Sequence, residues 1–432
     1  YYIRVSGDAT DTVQLYELAL TATNPPTTEV TLDGSGNLVV QDVNEINDDT
    51  LTLTLDAGNG ALLVSDPDRL LTTDIAGASG NETHEITIPV IAITGASIIV
   101  QSMGGDDTLT LNLTGGDLPL PVNYDGGIGP SDDVLVINGG SYNLGDFTAS
   151  NASDGLIDLD GATFVAYSGV NSISVNGSLT EAHFGYSDAS DQINASSPTT
   201  GLTQLVSTVG ASVTLSHPTT LLSVDAGEGD DTVEVGPLDA DYPAMIVVNG
   251  EDGMDAIAIA SPISLADDRL LSVTAESVSP VSQGTLSVDA DWTFGPGSQL
   301  SLALGDEQVQ MIESATLDLS QATLGLALPT APVAGAVFPI VDLSNSATLV
   351  APFSGMPEGS EFRLGNSIFR ITYLGGDGND ITLTTLLDYA QWQAAVFPVS
   401  EPAQGPTENP DQDDWPNGLE YLLTLDPTKF EV

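Results

Sequence analysis

The chain of 432 residues has no cysteine and almost no basic side chains. Arg4, Arg69, Arg269, Arg363, Arg370 and Lys429 are the whole basic complement, set against 61 acidic residues for a formal charge of −55. Without cysteine there are no disulfides, so stability must come from a large buried core, which leaves export open. Without clustered Lys and Arg the chain cannot displace counterions from a phosphate backbone or an anionic bilayer, which excludes nucleic acid and anionic membranes as partners. The same scarcity argues against polyuronate chemistry, where a cation must neutralise the substrate carboxylate. No apolar run approaches the ~18 residues of a membrane span, so no membrane insertion is expected. Aromatic residues are few (10 Phe, 3 Trp, 11 Tyr), which leaves little to line a sugar-binding groove. The three histidines, His84, His183 and His217, share no metal-ligand spacing. His183 with Tyr186 is the one His–Tyr pair, and an ordinary solvent-facing pair is its simpler reading. Nucleophile elbow and phosphate loop are both missing, so the sequence offers no catalytic motif. No signal peptide is visible and the first residues are YYIRVSG without Met, so a processed or excised part of a longer polypeptide is expected.

What fills the chain instead is alternation. Hydrophobic residues make up 41% of it and recur at period two, which favours a folded chain over an acidic disordered one. The stretch from Ser223 to Ile259 holds the pattern twice. Val224 leads into Gly227, Gly229 and Asp231, after which Val233 and Val235 alternate with polar residues. Val247 and Val248 lead into Gly250, Gly253 and Asp255, then Ile257 and Ile259 alternate. Asp231 and Asp255 are 24 residues apart. The same unit occurs earlier, with Gly104, Gly105 and Asp107 followed by Asp125, Gly126, Gly127 and Asp133, a step of 26 residues. Alternating strands, Gly-rich corners and a period near 25 predict an all-β chain built as a parallel β-helix. A string of β-sandwich domains is the rival architecture.

Five stretches are expected in order. Residues 1–23, with YYIRVSG and YELAL, resemble the closing hairpin of the bacterial pre-peptidase C-terminal domain, a secreted β-sandwich, here truncated. Residues 24–28, NPPTT, read as a linker. Residues 29–285 form the solenoid with Gly/Asp corners, in the style of coils from very large secreted planctomycete-type proteins, with a less regular pattern from Ser141 to Gly185. Residues 286–386 end in APFSGMPEGSEFRLGNSIFRITYLGGDGNDITL. Through Phe353, Gly355, Pro357, Glu358, Gly359, Phe362, Phe369 and Gly375 to Asp380 this resembles the last coil of autotransporter-associated β-strand repeats. In residues 387–432 the period changes. LLDYAQWQAAVF suits a short amphipathic helix, and a second runs from about Gly418 to Leu425 before Asp426-Pro427.

Two sets of residues could bind a cation. Counted from Asn409, a twelve-residue loop places Asn409, Asp411, Asp413, Trp415, Asn417 and Glu420 at positions 1, 3, 5, 7, 9 and 12. An EF-hand loop takes side-chain oxygens at 1, 3, 5, 9 and 12 and a backbone carbonyl at 7. The passage resembles the Asp-rich EF-hand- or dockerin-like tails of planctomycete- and verrucomicrobia-like secreted proteins, and that resemblance implies Ca²⁺. Asn409 replaces the usual Asp, and Asp414 stands where glycine makes the sharp turn, so strain is expected at Asp414. The alternative is an Asp-rich helix cap that has lost its metal. The corner residues Asp107, Asp231, Asp255 and Asp380 form the second set. Gly375, Gly376, Gly378 and Asp380 resemble the opening of the RTX nonapeptide, but the motifs stand one per period, and Ile381 and Leu383 fall on the wrong parity. Structural turns are the simpler reading for them. Five Asn-x-Ser/Thr sequons, at Asn81, Asn112, Asn151, Asn176 and Asn194, remain a minor possibility for glycosylation.

The resulting expectation is a non-enzymatic extracellular or cell-surface protein: a stiff, acidic, Ca²⁺-stabilised rod for adhesion, matrix or filament assembly. Its partners would be further copies of itself or a cell-surface glycan. The alternatives are a glycan-binding or glycan-cleaving β-helix, and a passive spacer within a larger secreted enzyme.

Overall fold

The computed structural model describes residues 28–43, 48–127, 129, 132–266, 269–312, 315–329, 332–333, 335–397, 404–423, 425 and 427–429. The hairpin expected over 1–23 and all of the linker except Thr28 lie outside the described residues. The fold is all-β: three sheets of 15, 14 and 7 strands, with two short helices at the C-terminal end.

Strands pair mainly in parallel, each with a strand about one sequence period away. Leu221–Asp225 pairs with Met245–Asn249 in the register Leu221↔Met245, and Ile246 of the latter lies opposite Leu271. In the second sheet Thr232–Val235 pairs with Ala256–Ile259, which pairs in turn with Ser277–Pro280. From Leu221 to Ile259 the chain therefore alternates between the first and second sheets, and it returns to them at Leu270–Thr274 and Ser277–Pro280. A third sheet begins at Ile263–Ser264 and continues through Gly284–Asp289, Glu307–Met311 and Val337–Leu343. The first two sheets run past residue 285 without a break, through pairs such as Leu271↔Trp292 and Val278↔Leu300.

Period-two alternation sends every second side chain inward. Val224, Val235, Val248, Ile257 and Ile259 are fully buried, and polar neighbours such as Asp225, Glu234 and Asn249 face outward. One buried cluster extends from Val30 to Leu383. Rings stack inside it, as Phe147 on Phe184 with centroids 4.8 Å apart, and Trp292 lies completely buried beside Phe294.

Antiparallel excursions interrupt the parallel order. Ser141–Asn151, Asp154–Leu159 and Thr163–Ser168 pair antiparallel within the first sheet, which accounts for the irregular pattern between Ser141 and Gly185. Gln192–Ser196, Leu202–Ser207 and Ser212–Ser216 do the same in the second. At the C-terminal end Val337–Leu343, Asp380–Leu386, Ser367–Gly375 and Glu361–Leu364 close the third sheet antiparallel. The Gly375–Asp380 segment is thus a hairpin turn, with Gly375 opposite Asp380. This overturns its reading as a corner of the repeating kind and explains the parity of Ile381 and Leu383, which are both buried.

Helix α1, Tyr389–Val396, starts at a capping box. The Asp388 carboxylate accepts from Gln391 N–H, and the Gln391 side chain accepts from Asp388 N–H. Helix α2, Asn417–Leu423, packs on α1 through Tyr389, Trp392 and Tyr421, with ring centroids 5.4 to 5.6 Å apart. The Tyr421 hydroxyl donates to the Leu387 carbonyl at 2.6 Å and ties α2 to the end of the last strand.

Leu271 is fully buried between Ile246 and Trp292, while Ser272 points outward. Leu271→Ala should lower stability by about 2–5 kcal/mol through lost contacts and a cavity, and Ser272→Ala by about 0.5 kcal/mol at most. The shift in urea midpoint on the two variants measures the contrast. Equal shifts would contradict the inward placement of Leu271.

Candidate metal centre

The corner aspartates serve the backbone. Where the chain leaves a sheet its N–H groups lose their ladder partners, and a short Asp side chain one period away can accept from them. Asp49 N–H donates to Asp107 Oδ1 at 2.8 Å, Asp107 N–H to Asp133 Oδ1 at 2.9 Å, and Asp133 N–H to Asn171 Oδ1 at 3.0 Å. A second row repeats this with Asp191 N–H to Asp231 Oδ1 at 2.6 Å, Asp231 N–H to Asp255 Oδ1 at 3.0 Å, and Asp255 N–H to Glu276 Oε2 at 2.9 Å. Beside each runs an outer row of opposite polarity. Asp106 N–H donates back to Asp48 Oδ1, Asp132 N–H to Asp106 Oδ1 and Met254 N–H to Asp230 Oδ1, each at 3.0 Å. Neighbouring corners press close together. A Cβ on Gly253, whose φ is +156°, would collide with the Gly229 carbonyl, and one on Gly127 with the Met103 carbonyl.

These contacts assign Asp107, Asp231 and Asp255 to hydrogen-bonded rows. Asp380 Oδ1 likewise accepts from Leu343 N–H at 2.9 Å. None of the four belongs to a three-carboxylate cluster among the described residues. Their burial has an electrostatic cost, because the second oxygens of Asp107, Asp231 and Asp255, and both of Asp49, are shielded from water without a hydrogen bond. Burial, with Asp42, Asp107 and Asp66 nearby, pushes the Asp49 carboxyl up to about 7, and the Arg69 guanidinium, 3.9 Å away, offsets only part of this. Burial pushes Asp107 up to about 6, although it accepts the Asp49 N–H. Asp231 and Asp255 are raised for the same first cause.

The tail differs. Asp411, Asp413 and Glu420 bring carboxylate oxygens within 4.8 Å of one another. Asp413 and Glu420 are buried, and both oxygens of the half-buried Asp411 are shielded and make no hydrogen bond. Positions 3, 5 and 12 of the expected loop therefore converge. Asn409, at position 1, is occupied within the loop: its Nδ2 donates to the Asp413 carbonyl, and its Oδ1 accepts from Gln412 N–H at 2.8 Å. Trp415 N–H donates to Asp413 Oδ1 at 2.6 Å. Asn417 is fully buried and donates Nδ2 to the Gly405 carbonyl at 2.9 Å. The strain expected at Asp414 is not there. The left-handed residue of the loop is Gln412, with φ +65°. Further bonds hold the loop, from Asn417 N–H to Glu408 O and Gly418 N–H to Pro406 O, both 2.8 Å. Three hard oxygen donors around one point suit Ca²⁺ or another hard divalent cation, and carry too much negative charge to suit an anion.

Sequence reading missed one polar network. His217 Nε2 lies 3.0 Å from Asp239 Oδ2, its Nδ1 2.8 Å from Thr203 Oγ1, and that hydroxyl 2.7 Å from the Tyr242 hydroxyl. The order of groups matches a nucleophile, a base and an orienting acid. Thr203 and Tyr242 are fully buried, so no substrate reaches the hydroxyl, and the network ties the Leu202–Ser207 strand to the 236–242 loop. Its bonded pairs are 14 to 39 residues apart with no motif to announce them. His183 lies between Asp146 and Glu181, at 3.5 and 3.7 Å, on the outer face of the first sheet.

Comparison with protein-family models and with curated proteins finds no match to this chain.

The corner rows predict a pH dependence. Asp107 keeps its proton in the folded chain up to about pH 6, whereas an unfolded aspartate releases it near pH 4. Its contribution to stability is therefore full below about pH 4, falls as pH rises to about 6, and stays low above that. Asp107→Asn keeps an oxygen for the Asp49 N–H and removes the titration. Urea midpoints in EDTA between pH 5 and pH 8 should show the variant gaining on the parent as pH rises, by on the order of 2 kcal/mol at pH 8. Parallel curves would mean that Asp107 carries no raised pKa.

Proposed function

We propose that the chain is a parallel β-helix acting as a non-enzymatic structural or adhesive rod outside the cell, with a Ca²⁺-binding tail. The observation that carries this reading is the run of parallel pairings one period apart, joined at the corners by hydrogen bonds along the stack. Fifteen strands at about 4.8 Å spacing make a body of roughly 70 Å along the stack. Its charge suits a molecule that stays dispersed in saline surroundings and repels its neighbours except where they are meant to meet. The acidic composition and the resemblance to large secreted bacterial proteins favour the extracellular location. In the tail, Asp411, Asp413 and Glu420 would hold the cation. Because Glu420 belongs to α2, the cation would fix that helix against the loop and, through Tyr421, against the last strand.

Two measurements test the proposal. Small-angle scattering should give the pair-distance distribution of an elongated particle, and a globular profile would overturn the rod. Thermal melting with Ca²⁺ and with EDTA should show stabilisation by the ion, about 2.7 kcal/mol at a hundredfold excess over its dissociation constant. Trp415 and Trp392 fluorescence should respond alongside. Glu420→Gln should abolish both effects and leave the EDTA melting point within a few degrees of the parent. An unchanged response to Ca²⁺ in that variant would remove the tail from the reading.

A further inference from the structure

The two large sheets present very different outer faces. On the first, more than half of the strands point a carboxylate outward, among them Asp125, Asp158, Glu181, Asp225, Asp291 and Asp318. On the second, twelve adjacent strands from Thr50–Asp56 to Thr323–Ala327 point only two outward, Asp56 at a strand end and Glu234. The other outward positions are mostly short and uncharged. Thr110, Val136, Ser174 and Thr214 form one continuous row across four strands, each opposite the next in register. Ala258 and Ser279 continue the same character further along the sheet. In a chain of charge −55, a neutral face of this extent is the exception.

We propose that this face is the contact between two copies of the chain, packed sheet against sheet. This contact rests on the rod reading above, whose stack makes the face continuous. Three features select a second copy. Two molecules of charge −55 repel one another wherever carboxylates line the surface, and here they can meet without burying charge. The Ser, Thr, Ala and Val side chains are short enough for two sheets to approach to about 10 Å. No aromatic side chain points outward from these twelve strands, so a neutral glycan would find no ring on which to stack. Eleven strand spacings by about five residues give a face of roughly 50 by 16 Å. That is on the order of 800 Å² per copy, the area a stable, specific interface needs. A twofold axis lying in the plane between the two faces would make the contact self-complementary and closed.

Sedimentation equilibrium of the full chain at physiological salt with Ca²⁺, over a micromolar to submillimolar range, tests this. The parent should dimerise. Thr110→Glu, Ser174→Glu and Thr214→Glu together should weaken the dimer at least a hundredfold. The control Gln101→Glu, Ser272→Glu and Thr293→Glu adds the same charge to outward positions of the first sheet and should change affinity less than tenfold. A monomeric parent throughout the range overturns the proposal, as does a dimer equally sensitive to both triple variants or to neither. Binding of the parent to an insoluble neutral glycan, lost in the Thr110 set while the protein stays monomeric, would assign the face to that ligand and overturn the second copy. Scattering from the same samples separates this from the rod itself: an elongated monomer loses only the dimer, a globular one loses both.

Discussion

A backbone N–H that turns out of a sheet still needs an acceptor, and this fold depends on finding one at every corner. The ladders within the sheets require only that strands run side by side. The corners require an acceptor at one place, on the neighbouring corner, and Asp107, Asp133, Asp231 and Asp255 supply it from the buried side. Asp48, Asp106 and Asp230 supply it from outside in the reverse direction. Asp107, Asp231 and Asp255 each leave an oxygen facing low-dielectric surroundings, so the device that sets the spacing also carries an electrostatic cost.

Acidic side chains thus work in three settings that composition alone merges into one number. At the corners they are buried and bind backbone donors. On the outer face of the first sheet they are solvated and keep other anionic bodies away. In the tail three of them crowd together, and a hard cation would relieve their repulsion. Glu420 belongs to this last group although it lies on a helix only seven residues long, because Asn417 and Gly418 are anchored to Glu408 and Pro406.

Much of the fold was legible in the sequence because alternation has one physical meaning: one side buried, one side wet. Val233, Val235, Ile257 and Ile259 sit where that rule puts them. Alternation is silent on strand direction, so the antiparallel excursions from Ser141 and from Gln192 could not be told from parallel strands. The corner aspartates were legible as special positions, yet their oxygens point to backbone donors 24 to 58 residues away, a relation that spacing does not encode. In the tail Asp411, Asp413 and Glu420 followed from loop register, while Asn409 did not, because an amide can satisfy its own loop where a carboxylate cannot donate. The His217 network left no trace in the sequence: Thr203, Asp239 and Tyr242 are brought together only by the antiparallel excursion and the loop that covers it.

The opposite polarity of the inner and outer corner rows has a consequence for force. In the β-helix proposed above, ladder bonds and corner bonds would all lie along the stacking direction. A pull along that direction, spread over a whole layer, would strain every bond between two neighbouring layers together, and rupture would require all of them at once. A pull on a single strand would instead break the bonds between two layers one at a time, and the paired corner rows would resist it from both directions. Load spread over a whole layer would be borne far better than load taken up by one strand.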